Sequence, residues 1–258
     1  MIIIKTPDQI EGIRKSCILL AHVMKELGEI IQPGISTWEI DQKAEQLIIE
    51  GGGKPAFKGY RGGPGGIPFP SSVCASVNDI VVHGPAISKE PLKEGEIIGI
   101  DCGINLDGYY SDMAMTFPVG KIEPSVQNLL DVTKQSLMNG IDKVKPGNKI
   151  EDISQAIQNT VTPHGYGIVH GFAGHGVGVD VHEDPWIPNY VSNEMRDSLA
   201  MEIKPGHVYA IEPMITTGGN QVSVQGDGWS VKTNDNSLSA HFEHTVLVTE
   251  DGHEILTL

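Results

Sequence analysis

Residues 92–101 read LKEGEIIGID, and residues 203–212 read IKPGHVYAIE. Each segment has a lysine, a turn glycine, an apolar β-prone run and a carboxylate at its far end, and the two segments lie 111 positions apart. A short apolar run bounded by turn residues is typical of a buried strand. We therefore expect a duplicated unit, with pseudo-repeats at about residues 1–120 and 121–258 of a single domain spanning residues 1–258.

The helices that precede these segments repeat in the same way. Capping boxes begin at Thr6 and Ser36 and predict the two helices of the first half. In the second half, helical spacing predicts one helix over about 125–144, and another from near Asn148, with Glu151 three residues on. A Pro-Gly pair ends the first helix of each half, and the two pairs lie 113 residues apart. This order of elements favours an α/β fold of the α+β type.

Two aspartates of the first half are predicted to share one face of a hairpin. Asp107-Gly108 is a strong two-residue turn signal, and a turn there places Asp112 opposite Gly103. Asp101 lies on the same face as Gly103, so the two acids are diagonal neighbours roughly 7–8 Å apart at the backbone. We expect the glycine to leave room between them and a cation to neutralise them. The alternative is that Asp112 is a surface acid and Asp101 pairs with a lysine.

The second half repeats this arrangement of acids. Glu212 follows an apolar run, and Glu243 precedes an alternating strand that starts at His244. Two related halves that meet would bring four carboxylates toward one cleft, and His175 lies in a glycine-rich segment where the backbone can approach a ligand. Carboxylates with one imidazole suit a pair of Mn²⁺, Fe²⁺, Co²⁺ or Zn²⁺ ions. Such a pair activates a bridging water, which is hydrolytic chemistry.

The other histidines fall into two groups. His83 ends an apolar run, and His182 follows His175 by seven residues, so both are candidates for the same cleft. A lone histidine in such a place is more often a hydrogen-bonded structural residue than a ligand. That structural interpretation is kept for six others: His164, His170, His207, His241, His244 and His253.

Bulk composition excludes several classes of protein. The net charge of −15 and the pI near 5.0 disfavour nucleic acid as a direct partner. The three cysteines form no CxxC pair, which fits a reducing compartment. The N-terminus does not read as a signal peptide, and no apolar run reaches the roughly 18–20 residues of a membrane span. We expect a cytoplasmic protein without a membrane contact. HExxH, GxSxG and phosphate-loop motifs are absent from the sequence.

These residues resemble the methionine aminopeptidases, and specifically the short type I form of bacteria. The resemblance runs over nearly the whole chain. Five segments carry it: SSVCASVNDIVVHG (71–84), IGIDCGINLDGYYSDMAMTF (98–117), GHGVGVDVHEDP (174–185), AIEPM (210–214) and GWSVKTNDNSLSAHFEHTVLVTEDG (228–252).

The resemblance implies the pita-bread creatinase/aminopeptidase fold, with two pseudo-symmetric halves around a central metal cleft in one catalytic domain. It implies two divalent metal ions, Co, Mn, Fe or Zn. Asp112 and Glu243 would bridge the ions. Asp101 would complete the shell of one ion, and His175 and Glu212 that of the other.

The resemblance also implies roles in catalysis. Glu212 would take part in proton transfer with the attacking water. His83 would handle the substrate amine or the leaving group, and His182 would hydrogen-bond the scissile carbonyl or the tetrahedral intermediate. The implied activity is removal of N-terminal methionine from peptides and nascent proteins with a small second residue. The thioether of methionine suits soft and aromatic surfaces. The implied pocket residues are Tyr60, Phe69, Cys74 and Trp229. Of these, Cys74 and Trp229 could equally be core residues.

Two departures from the family pattern concern the pocket rather than the metal. Residues 61–67 form a longer glycine-rich link than usual, which leaves the rim uncertain. Val181 stands where the family commonly has phenylalanine, which would widen the pocket. The zinc-binding N-terminal extension of the eukaryotic type I enzymes is not expected. The long insertion of the type II enzymes is not expected either, since only 30 residues separate Glu212 from Glu243.

Two other interpretations compete with this one. Xaa-Pro aminopeptidases and prolidases have the same fold and a similar metal set, but they usually carry an additional N-terminal domain for which the chain has no room. A non-catalytic pita-bread binding protein would typically have lost metal ligands, and none is missing here. The sequence leaves open the physiological metal, the effect of the 61–67 link and Val181 on substrate range, and docking at the ribosome. A monomer is expected.

Overall fold

A computed structural model describes residues 2–62 and 66–258 of the chain. Its helices are α1 (Pro7–Ile30), α2 (Thr37–Glu50), α3 (Pro124–Ile141), α4 (Ile150–Val161) and α5 (Arg196–Leu199), with 3₁₀ turns at Thr162–His164 and Asn193–Met195. Its strands are β1 (Lys54–Pro55), β2 (Cys74–Val77), β3 (Ile80–Val82), β4 (Ile97–Leu106), β5 (Tyr109–Pro118), β6 (Gly167–Ile168), β7 (Gly174–Gly176), β8 (Glu183–Ile187), β9 (Val208–Ile211), β10 (Met214–Thr216), β11 (Val222–Val224), β12 (Val231–Thr233), β13 (Ser239–His241), β14 (His244–Val248) and β15 (His253–Ile255).

Local sequence signals start three of the four long helices. Both predicted capping boxes of the first half are present, at Thr6 before α1 and at Ser36 before α2. The helix predicted to begin near Asn148 is present as α4, with Lys149 at its N-cap. Helix α4 begins after Lys149, whose backbone N–H donates to the Asp152 carboxylate at 2.7 Å. The Asn148 side chain instead donates to the Lys143 carbonyl at 2.9 Å and closes the preceding turn.

The first half is built on the long hairpin of β4 and β5. Its register pairs Leu106 with Tyr109 and Gly103 with Asp112, as the turn signal predicts. Asp107 (φ 53°) and Gly108 (φ 88°) both adopt the left-handed backbone that a tight hairpin turn needs. Strands β1 and β2 pair with the other edge of β4, and α1 and α2 cover the sheet.

The second half is built on a five-stranded sheet with the order β15-β14-β9-β7-β8. Helices α3 and α4 pack together and form, with this sheet, a second apolar core that is separate from the core under α1 and α2. Two three-stranded sheets, β13-β10-β6 and β11-β12-β3, lie beside it.

Hydrogen bonds join the two halves along β5. The Thr245 hydroxyl donates to the Asp112 carbonyl at 2.7 Å and accepts from the Asp112 backbone N–H at 3.1 Å. The Glu243 backbone N–H donates to the Ala114 carbonyl at 2.8 Å. One acidic residue from each half is thereby fixed at the seam, so the halves meet where the carboxylates were expected.

Candidate metal centre

The five predicted ligands come from five different places in the chain and line one cavity of about 480 Å³. Asp101 lies in β4, Asp112 in β5 and His175 in β7, while Glu212 directly follows β9 and Glu243 lies between β13 and β14. Because β9 and β14 pair antiparallel with Ile211 opposite His244, the two glutamates continue the same ladder.

The imidazole of His175 faces these carboxylates. Its Nε2 lies 3.4 Å from Glu212 Oε1 and 3.9 Å from Asp112 Oδ2. Its Nδ1 contacts the Gly176 carbonyl at 2.9 Å, and a carbonyl can only accept, so Nδ1 carries the proton. The Nε2 lone pair is therefore directed at the acids. Three ligand atoms lie within 4.8 Å of one another: a ring nitrogen of His175, a carboxylate oxygen of Asp112 and a carboxylate oxygen of Glu243. This spacing can hold a metal ion.

The charges of this cluster fit a cation. Burial raises the pKa of Asp112, Glu212 and Glu243 well above their ordinary values, and it raises that of Asp101 to about 6. The charge of Asp101 adds to this rise in the pKa of Asp112, so the two carboxylates repel each other when no cation is present. Among the described residues, Asp101 Oδ1 and Glu243 Oε1 are buried without a hydrogen-bond partner. Burial also lowers the pKa of His175 to about 3, so its ring is neutral and available as a ligand. The donor set fits divalent ions.

Gly103 has a different part from the one predicted. The prediction was that the missing side chain leaves an open space between the two aspartates. The Phe57 ring occupies that space, because a Cβ at position 103 would lie 2.7 Å from it. The glycine admits this ring, and Phe57 lines the same cavity. The sequence contains no signal for this contact, since it forms between a loop and a strand 46 positions apart.

His241, which the sequence interpretation left as structural, also lies at the centre. Its Nε2 is buried, lies 3.4 Å from Glu212 Oε2 and forms no hydrogen bond within the described residues. With Glu212 and Glu243 it forms a second group of ligand atoms within 4.8 Å of one another. The sequence did contain a signal for this position. His241 precedes Glu243 by two positions, and residues two apart in a strand point to the same face.

The two predicted catalytic histidines open onto the cavity. The ring of His182 lies 4.6 Å from that of His175 and 5.3 Å from that of Tyr60, measured between centroids. The cavity walls desolvate His182 and lower its pKa, and burial lowers that of His83 to about 4. Both rings are therefore neutral near pH 7, and each can offer one N–H and one lone pair. His83 has a left-handed backbone (φ 59°), a conformation that is uncommon for residues other than glycine.

The four predicted pocket residues also come together. Phe69 and Trp229 pack edge to face with centroids 5.2 Å apart. Phe69, Cys74, Val181 and Phe57 form one buried apolar cluster, and Tyr60 and Trp229 pack against it. Among the lining residues that the sequence interpretation missed are three aromatic side chains and a methionine: Phe57, Phe172, Trp186 and Met214.

Of the 61–67 link, residues 63–65 lie outside the described part of the chain. The ends of the link are tied together, because Arg61 Nη1 donates to the Gly66 carbonyl at 2.5 Å.

Comparison with known proteins identifies the class. The model of metallopeptidase family M24 matches residues 11–250, so the chain belongs to this family. The methionine aminopeptidase of Borreliella burgdorferi is 47% identical over 247 residues, which cover 96% of this chain and 94% of that protein. The crystal structure of the methionine aminopeptidase of Thermotoga maritima superposes with a TM-score of 0.93 at 40% identity, covering 100% of this chain and 99% of that one.

A prolidase structure from Pyrococcus furiosus shares the fold at a lower level of similarity. It superposes with a TM-score of 0.79 at 25% identity, and the match covers 99% of this chain but 65% of the prolidase. The expected pita-bread fold, two related halves around a central cleft, is thus confirmed. Membership of the family also confirms that the chain is a metallopeptidase, which uses divalent metal. Within the described residues, no helix is long and apolar enough to cross a bilayer.

Proposed function

We propose that this protein is a methionyl aminopeptidase, which hydrolyses the N-terminal methionine from peptides and nascent proteins with a small second residue. One observation carries the proposal. The buried acidic cluster and the apolar group of Tyr60, Phe69, Cys74 and Trp229 are two walls of the same cavity. A substrate side chain seated against the apolar wall therefore has its first carbonyl beside the acids.

We assign five residues to two divalent ions, of Co, Mn, Fe or Zn. Asp112 and Glu243, which are both held at the seam by hydrogen bonds to the opposite half, would be shared by the two ions. Asp101 would complete the ligand set of one ion, and His175 with Glu212 that of the other. When bound, two such ions lower the pKa of water and polarise a carbonyl.

Three side chains perform the remaining steps. Glu212, whose carboxylate lies 3.4 Å from the imidazoles of His175 and of His241, accepts a proton from the attacking water. His182 is neutral and keeps one N–H, which it donates to the oxygen of the scissile carbonyl as negative charge develops there. His83, which lines the same cavity with its ring edge to face against Phe172, contacts the amine of the substrate or of the leaving peptide.

The pocket supports methionine as the first residue. Its walls combine aromatic rings with a thiol, and a thioether makes favourable contacts with both kinds of surface. Val181 is 4% exposed and forms part of this wall, so its small side chain enlarges the pocket. A free amino terminus is drawn toward a cavity lined by carboxylates.

We further propose that residues 1–258 form a single catalytic domain that acts as a monomer in the cytoplasm. The three cysteines are free and buried, which suits a reducing compartment. Its partners are then the N-termini of peptides and of chains emerging from the ribosome.

The test is release of free methionine from the peptide Met-Ala-Ser, measured with Co²⁺ or Mn²⁺ and then with chelator. An Ala-Pro peptide is the control, and Glu243→Ala is the matched variant without a bridging ligand. Metal-dependent cleavage of Met-Ala-Ser alone, lost in the variant, is the expected result. Cleavage of the proline peptide would instead support a prolidase. If the metal-replete protein cleaves neither peptide, the result would support a non-catalytic binding protein.

A further inference from the structure

The segment before α1 contains a buried cation. Lys5 Nζ lies 2.5 Å from Glu183 Oε2, and the two side chains are 1% and 4% exposed. The backbone of Lys5 is fixed as well, since its N–H donates to the Gly206 carbonyl at 2.8 Å. Removing two charges from water costs free energy that offsets much of their Coulomb attraction. The ion pair is therefore expected to add little to the stability of the fold.

The other oxygen of the same carboxylate holds a turn. Glu183 Oε1 accepts the backbone N–H of Val179 at 2.7 Å and that of Asp180 at 3.1 Å. These bonds close the turn at residues 177–182, which connects β7 to β8, and Glu183 pairs with Gly176 at its base. Glu183 therefore joins Lys5 on one side to the turn on the other.

This turn carries functional side chains. Val181 forms part of the apolar pocket, and His182 faces the His175 ring at 4.6 Å. The stem of Lys5 packs directly under the turn. A Cβ added at Gly178, which has φ 137°, would lie 3.0 Å from Lys5 Cε and 2.4 Å from Ile13 Cδ1. The Gly178 carbonyl also accepts the Tyr110 backbone N–H at 2.7 Å, so the turn is tied to β5.

We propose that Lys5 is a positioning residue, which acts through Glu183 to hold His182 at the site; this inference rests on the role proposed above for His182. Without the ammonium group, the Glu183 carboxylate is a buried charge without a counterion. Such a charge takes up a proton or turns toward water. Either change weakens its bonds to Val179 and Asp180, and the turn loses the geometry that places His182 against the substrate carbonyl.

The test is Lys5→Met, which keeps most of the stem and removes the charge. Arg14→Met is the control, because it removes the ion pair between Arg14 of α1 and Glu254 of β15, and neither residue hydrogen-bonds to the turn within the described part of the chain. We expect Lys5→Met to lower kcat for Met-Ala-Ser 10- to 100-fold, with KM and bound metal within threefold of wild type. That range lies below the loss of about 10²–10³ that is typical when an oxyanion donor is removed completely, because His182 itself is still present. Arg14→Met leaves kcat unchanged.

A second readout needs no activity. In the metal-free protein, the imidazole NMR signal of His182, assigned from His182→Ala, should shift or broaden in Lys5→Met, while that of His170 stays in place. Neither signal moves in Arg14→Met. If wild type fails to cleave the peptide, the proposed function falls, and the NMR comparison still tests the positioning role. A kcat within twofold of wild type together with an unmoved His182 signal would overturn the inference.

A rescue variant covers the case in which Lys5→Met does not fold. Lys5→Met/Glu183→Gln has no unpaired charge, and the amide oxygen at position 183 still accepts from Val179 and Asp180. We expect this double variant to fold, to show a kcat within fivefold of wild type and to keep the His182 signal in place. A double variant that folds but has lost kcat more than tenfold, with His182 displaced, would contradict a role that runs through the Glu183 charge.

Discussion

The metal-free protein has to hold four neighbouring carboxylates, so Asp101→Asn should stabilise it at neutral pH. Burial, with a further contribution from Glu212, raises the pKa of Asp101 from 3.8 to about 6. At 1.36 kcal/mol per unit, a rise of about 2 units is worth about 3 kcal/mol. Asp101 as a whole is half-buried, and solvent screening reduces this figure to about 1–3 kcal/mol in the free energy of unfolding.

The effect depends on pH with a defined sign. The folded-state pKa lies above the unfolded value, so between about pH 4 and pH 6 the folded protein binds more protons at Asp101 than the unfolded chain does. Wild-type stability therefore falls as the pH rises through this window. The advantage of Asp101→Asn is full above about pH 6 and disappears below about pH 4.

Urea denaturation followed by circular dichroism measures this in the presence of chelator at pH 7.5 and pH 4. Asp251→Asn is the control, because the residue is exposed and its replacement should change stability by less than about 0.5 kcal/mol. With Co²⁺ or Mn²⁺ added, wild type should become more stable to urea than Asp101→Asn, since a ligand stabilises the state that binds it. An Asp101→Asn variant no more stable than wild type at pH 7.5 in chelator would refute the electrostatic reasoning.

Three further variants test single positions. Glu212→Gln should lower kcat by about 10²–10⁴, the usual contribution of a general base, while isothermal titration still detects metal binding; a loss below tenfold would contradict the assignment. His182→Ala should lower kcat by about 10²–10³ with bound metal unchanged, and an effect confined to KM would argue against donation to the carbonyl. Val181→Trp introduces a side chain larger than the phenylalanine common in the family, and it should lower kcat/KM for methionine peptides at least tenfold, whereas an unchanged kcat/KM would place position 181 outside the pocket.

The parts of the fold that the sequence predicted well depend on neighbours in the chain. The Asp107-Gly108 turn sets the register of β4 and β5 by itself, because its backbone geometry allows one pairing. The capping box at Thr6 likewise starts α1. The helix predicted to begin near Asn148 likewise begins at Ile150, after its N-cap residue Lys149.

The missed parts of the site are contacts between distant segments. Phe57 reaches Gly103 from a loop, and Lys5 reaches Glu183 across 178 positions. His241 reaches Glu212 from another strand. No spacing along the chain encodes such pairs, since they exist only after the two halves have packed together.

The sequence by itself determined which residues carry chemistry and which local elements present them, because strand alternation, turn type and helix capping act within a few residues. It indicated the duplication, and so the convergence of Asp101, Asp112, Glu212 and Glu243 on one cleft. Only the tertiary structure decided which groups surround that cleft and how their protons are held. Desolvation and the field of neighbouring charges depend on every segment packed around a group, so they arise with the folded core rather than with any stretch of the chain.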